Sequence, residues 1–119
     1  MKVVITDYEY QDVEKERKIL EAAGIVLDAC QCRTEQALID ACREADGVIV
    51  QYCAITERVI RAMERCRVII KYGIGVNNID VDAASAKGIY VCNVPDYGVD
   101  EVSNHAIAMM LALSRGLKS

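Results

Sequence analysis

The sequence predicts an α/β domain built on a parallel sheet. Five short runs of branched apolar residues have the length of buried strands, and segments of helical period lie between successive runs. The connections are too short for anything but right-handed crossovers, which makes the strands parallel.

The first run, 2–6, ends at Asp7, a polar residue at the carboxyl end of a strand. The charged segment 11–23 then brings Val13, Leu20 and Ala23 to one helical face, with Gly24 at the C-cap position. Residues 25–29 form the second strand. Thr34 caps a helix whose Ala37, Leu38, Ala41, Cys42 and Ala45 make an apolar stripe, and Gly47 ends it. The third strand, 48–50, releases the chain into Gln51, Tyr52, Cys53 and Ala54. Thr56 caps a short helix with Val59, Ile60 and Met63 turned inward.

The fourth strand starts at Val68 and runs into Gly73-Ile74-Gly75. Asp80 or Asp82 then starts a short helix that stops at Lys87-Gly88, and residues 89–92 make the fifth strand. The expected architecture is a flavodoxin-like, doubly wound sheet of order 2-1-3-4-5, covered by helices on both faces. Repeats, low-complexity tracts and flexible linkers are absent, and the one proline, Pro95, follows the fifth strand.

Residues 99–117 read as one long helix, with Asp100 and Glu101 in its first turn and Arg115-Gly116 near its end. Its middle, 106–113, is apolar around the whole circumference, whereas a helix lying on one sheet buries only a stripe. This helix therefore wants a second partner. Either the chain oligomerises through it, or the chain is the front part of a longer protein.

With 119 residues the chain has the length of one domain with a real core. A net charge of −4 and a pI near 5.0 offer no electrostatic attraction to nucleic acid or an anionic membrane. No apolar run approaches the ~20 residues that span a bilayer, and the start turns polar at Thr6-Asp7, so a soluble cytoplasmic protein is expected. The six cysteines contain no C-x-x-C and there is one histidine; the expectation is reduced thiols packed as small hydrophobes, and no metal site.

The segment that invites a ligand is 68–80, where a buried strand opens into Gly-x-Gly at the sheet's carboxyl end. Three readings are open: a nucleotide fingerprint, a structural turn, or a loop whose amides hold a carboxylate. The first lacks its third glycine, since Asn78 stands there, and it sits on the fourth strand. Lys71 and Tyr72 would add a cation and a hydroxyl to the amides of Gly73, Ile74 and Gly75, which favours an anion. Tyr52, at the end of the adjacent strand, belongs beside that loop or packs elsewhere. His105, two turns into an otherwise apolar helix, reads as a packed, hydrogen-bonded histidine before it reads as a general base. No catalytic set, metal cluster or nucleophile elbow is complete. The chain holds half a site.

Taken together, the runs Val48-Ile49-Val50-Gln51-Tyr52, Ile55-Thr56, Val68 through Asp80 (with G-x-G-x-x-N-I-D), Gly88 through Tyr97 (with C-N-V-P) and Val99 through Ala106 resemble the amino-terminal part of D-isomer-specific 2-hydroxyacid dehydrogenases. The likeness is to the phosphoglycerate dehydrogenase-like and C-terminal-binding-protein-like branch, and it covers most of the chain in order.

The resemblance implies that residues 1–98 are the first segment of a substrate-binding domain and 99–119 an interdomain hinge helix. One face of that helix would rest on this domain and another on a Rossmann domain that carries NAD and lies outside this chain. It implies a small 2-hydroxy or 2-oxo acid as substrate, held by the loop at 73–75 with Lys71 facing it, cofactor contacts at Ile74 and Val102, and a homodimeric parent. The family's catalytic Arg, Glu and His have no counterpart here, so the isolated chain is expected to be inactive. Gln51-Tyr52 stands where some members carry Arg-Ser, Asn77 where Asp is frequent, and Asn104 where an acid is usual, which leaves the acid unidentified.

Two rivals are a complete flavodoxin-like module that binds a small anion and an interaction protein that uses the long helix. A receiver domain, in particular, wants an acidic pair after strand one and an Asp after strand three; the chain has Asp7 but Gln51-Tyr52.

Overall fold

A computed structural model describes residues 1–117. Five strands, β1 (Lys2–Ile5), β2 (Val26–Ala29), β3 (Gly47–Val50), β4 (Val68–Lys71) and β5 (Tyr90–Cys92), form one parallel sheet of order β2-β1-β3-β4-β5. The helices between them are α1 (Glu14–Ala22), α2 (Glu35–Cys42), α3 (Glu57–Ala62) and α4 (Val81–Ala86), and α5 (Val99–Ser114) follows β5. The α/β class, the order and all ten elements are those the sequence predicts.

Pairing in register places Val4 beside Val48, Val48 beside Ile69 and Ile69 beside Val91, so these side chains share one face. That face meets Leu38, Ile39 and Cys42 of α2, Val59 and Ile60 of α3, Met63, and Ala84 of α4, forming the main core. The opposite face carries Ile5, Leu27 and Ile49 against Val13 and Leu20 from α1 and its start. Three caps act as predicted: Thr34 and Thr56 accept through Oγ1 from the amides of Ala37 and Val59, and Asp80 accepts from Ala83.

Several boundaries and one layer differ from expectation. The second helix ends at Cys42, and Gly47 opens β3 instead of closing that helix. A side chain at Gly47 would stand 3.4 Å from Val68 Cγ1 and 3.5 Å from Val3 Cγ2, so close approach of the flanking strands selects glycine there. The sheet is also not covered on both faces throughout. Among the described residues nothing lies over β5 on the α1 side, where Tyr90 is 77% exposed and Cys92 is open.

The reason is α5. In place of returning across that face it leaves the sheet, and none of its residues is buried. Ala106 and Ala112 are partly covered and the other residues of α5 are exposed. The 57 × 32 × 24 Å extents and 17.7 Å radius of gyration reflect the projection; a compact chain of this length would have a radius of about 13.5 Å. Residues 118 and 119 of the predicted hinge segment lie outside the described residues.

Candidate carboxylate cleft at the sheet's carboxyl end

Parallel pairing brings the ends of β1, β3 and β4 side by side. The residue that organises them is Asp7, to which the sequence assigned no role in this cleft. It is 8% exposed, and its carboxylate accepts from three consecutive amides: Gln51 at 3.1 Å, Tyr52 at 2.6 Å and Cys53 at 3.2 Å. The Thr6 hydroxyl adds a donor at 2.8 Å. Burial pushes the carboxyl pKa up, but the donors from Tyr52, Thr6 and Gln51 outweigh it and hold the value below the usual 3.8. The Glu9 amide binds Gln51 Oε1 at 2.7 Å, tying the β1 loop to the β3 loop a further time.

Lys71, the last residue of β4, donates through Nζ to the carbonyl of Gln51. Its ammonium also stands 5.5 Å from the centroid of the Tyr52 ring, within reach of a cation–π interaction. The chain then turns at Gly73, whose φ of +142° is open to glycine alone. Behind the turn, the Val94 amide binds the Gly73 carbonyl at 2.9 Å and Asn93 Nδ2 binds the Ile74 carbonyl at 2.8 Å. The carbonyls are thus taken, while among the described residues no protein acceptor takes the amides of Ile74 and Gly75. Asn78 Nδ2 holds the Cys53 carbonyl at 2.9 Å, joining this loop to the one after β3, and a parallel bridge pairs Ile55 with Ile79.

The result is an open cleft of ≈ 460 Å³ between Tyr52, Lys71, Tyr72, the loop at 73–75, Asn77, Asn78 and Tyr97. Two unused amides beside an ammonium can orient a carboxylate. Lys71, Gly73, Ile74, Gly75 and Tyr52 are gathered there as the sequence reading placed them.

Tyr72 borders the cleft as well, but its hydroxyl is not offered in the way foreseen. Its ring stacks edge-on against Tyr10, centroids 5.4 Å apart, and packs with the α1-side core, and its hydroxyl is buried without a hydrogen-bond partner among the described residues. Burial, then the neighbouring Glu16 carboxylate, raise its pKa. Strand alternation is the cause: Tyr72 continues the face of Ile70, while Lys71 continues that of Ile69.

Val102, 71% exposed on α5, does not line the cleft, whereas Ile74 does. Tyr97, which the sequence reading assigned no site role, lines it. His105 is not packed as expected: it stands exposed on α5, and among the described residues its side chain has no hydrogen-bond partner. The six thiols are free; Cys32 and Cys42 are buried in the core as expected, but Cys92 is exposed on the bare part of β5. Among the described residues no group of three His, Cys, Asp or Glu side chains is placed to hold a metal ion, and no helix is long and apolar enough to cross a membrane.

The sequence model of "D-isomer specific 2-hydroxyacid dehydrogenase, catalytic domain" matches residues 3–116. A D-3-phosphoglycerate dehydrogenase of Methanocaldococcus jannaschii is 36% identical over 118 residues, 98% of this chain and 22% of that protein. Among solved structures, an NAD⁺-bound 3-phosphoglycerate dehydrogenase of Entamoeba histolytica is 32% identical with a TM-score of 0.78, over 100% of this chain and 41% of that one. A D-lactate dehydrogenase of Aquifex aeolicus, complexed with NAD and lactic acid, is 26% identical with a TM-score of 0.78, over 93% and 33%. The chain thus spans about a fifth of the length of the curated relative and about two fifths of the Entamoeba structure.

Proposed function

The chain belongs to the D-isomer-specific 2-hydroxyacid dehydrogenase family, matching its catalytic domain, and on that premise we propose that it is the substrate-holding wall of an NAD-dependent dehydrogenase acting on the CH–OH group of a small D-2-hydroxy acid. The observation that carries this reading is the pair of unused amides at Ile74 and Gly75 beside the Lys71 ammonium. A 2-hydroxy acid presents a carboxylate next to its reacting carbon, so gripping the carboxylate fixes where that carbon stands. Lys71 supplies charge and the amides supply direction.

The residues described here do not form a dinucleotide site. Asn78 replaces the third glycine, the chain after the loop enters the Ile55–Ile79 bridge, and the next helix, α4, has six residues. NAD would be held by a further domain, from which it exchanges hydride with the substrate; Ile74 and Val102 are the contacts proposed from this side. In this assignment residues 1–98 are the substrate domain and 99–119 the interdomain helix, and the exposed apolar surface of α5 supports that role. The parent is proposed to be a cytoplasmic homodimer.

The test is a titration of ¹⁵N-labelled protein with D-glycerate, D-lactate and 3-phosphoglycerate. Saturable shifts at the amides of Ile74 and Gly75 are expected, together with no NAD-linked turnover by the chain alone, since positioning without acid–base groups leaves the barrier high. Absence of any response at the loop, or turnover by the isolated chain, refutes the assignment.

A further inference from the structure

Asp7 and Lys71 carry opposite charges and meet the same peptide group from its two ends. The Tyr52 amide donates to Asp7 Oδ2 at 2.6 Å, and the carbonyl of that same peptide unit, Gln51 O, accepts from Lys71 Nζ. The N–H end of the unit faces the carboxylate and the C=O end faces the ammonium, so each charge polarises the group in the sense that strengthens the other's bond. We propose that Asp7 is the positioning residue of the cleft: through the Gln51–Tyr52 peptide it fixes where the Lys71 ammonium stands beside the loop at 73–75. This deepens the substrate-wall reading and rests on it for its functional meaning.

Three further observations support it. The carboxylate is anchored, since Thr6 Oγ1, Gln51 N and Cys53 N bind it as well, so the segment 51–53 is held at three successive amides and the shared peptide cannot rotate. Both contacts of the Lys71 ammonium, the Gln51 carbonyl and the Tyr52 ring, lie on that held segment. And among the described residues no carboxylate pairs directly with Lys71. An ammonium has three donors; with one on Gln51 O, the others remain for an incoming carboxylate. A direct ion pair would have neutralised the charge, whereas a carboxylate one peptide away orients it and leaves it available.

The experiment compares ¹⁵N-labelled wild-type protein with Lys71→Met, Lys71→Arg and Asp7→Asn, first without ligand. Lys71→Met is expected to shift the Tyr52 amide resonance although that lysine does not touch the Tyr52 N–H, and Lys71→Arg, which keeps a cationic donor, to restore it. Asp7→Asn is expected to move the Tyr52 amide and the Lys71 side-chain signals together. A purely packing role for Asp7 leaves the Tyr52 amide indifferent to Lys71→Met, and that result overturns the proposal. If Asp7→Asn does not fold, the two lysine variants decide alone. Acetate titrated against the loop amides supplies the functional half: about tenfold weaker binding in Lys71→Met and in Asp7→Asn, and a variant carrying both substitutions no weaker than either, because the two residues act as one unit. Additive losses overturn the coupling. If wild-type protein binds no acetate, the substrate-wall reading fails while the ligand-free resonances still judge Asp7.

Discussion

Replacing Gly73 with alanine separates backbone strain from steric fit at the cleft. Gly73 holds φ at +142°, where an L side chain is disfavoured whatever space surrounds it. The space itself is adequate: the added methyl would find only Lys71 Cε, at an ordinary 3.6 Å. The cost is therefore conformational, about 1–3 kcal/mol. At about 4 °C per kcal/mol for a chain of this size, the melting temperature should fall by about 4–12 °C. Gly75→Ala is the matched control. Gly75 has no positive φ, and its added methyl would stand 3.1 Å from Asn77 Oδ1, the free end of an exposed side chain that can swing aside, so its loss should stay below about 1 kcal/mol. Thermal unfolding followed by far-ultraviolet circular dichroism reads the stability, and acetate titration of the Ile74 and Gly75 amides reads the cleft. Gly73→Ala should weaken acetate binding as well as lower the melting temperature, because the Ile74 amide takes its direction from the Gly73 backbone. A Gly73→Ala protein that melts with the wild type and binds acetate equally well refutes the reasoning.

Asp7→Asn should destabilise the fold by about 1–3 kcal/mol near neutral pH, since three amides and a hydroxyl lose a charged acceptor. Because the folded-state pKa of Asp7 lies below 3.8, its contribution is present above that value and is lost as pH falls through the folded value. Urea midpoints of the two proteins should converge on acidification; a constant gap refutes this. Brief maleimide labelling of native protein near neutral pH should modify Cys92 first and lose its fast phase in Cys92→Ser, since burial pushes Cys30 to about 11 and Cys42 and Cys53 to about 12. Several thiols reacting at one rate would contradict it. A chain shortened to residues 1–98 should keep the urea midpoint of the longer one, as no residue of α5 is buried, and any self-association seen by gel filtration should disappear with the helix. Unfolding of the shortened chain would show that α5 supports the sheet.

The gathering of Tyr52, Lys71 and the loop at 73–75 was legible because parallel neighbours align their carboxyl ends, and adjacency of the third and fourth strands follows from short connections. The role of Asp7 was not, although a lone acid closing a buried strand was a visible signal. Its three amide partners lie 44 to 46 residues away, and which loop it would face depended on β1 pairing with β3. Tyr72 shows a different failure. It stands next to Lys71 in sequence, and period-two alternation, applied one residue further, packs its ring with the α1-side core and buries the hydroxyl that was expected to serve an anion.

By itself the sequence determined the order and kind of the elements, since strand runs, caps such as Thr34 and Thr56, and breaking glycines such as Gly24 act within a few residues along the chain. It also marked α5 as a helix too apolar for one sheet. Only the tertiary structure decided that α5 leaves the sheet altogether, that the α1 side of β5 stays bare, and that Asp7 and Lys71 close on one peptide group. These depend on contacts between residues distant in sequence, where pairing register and the direction of a strand's exit select the neighbour and no local pattern does.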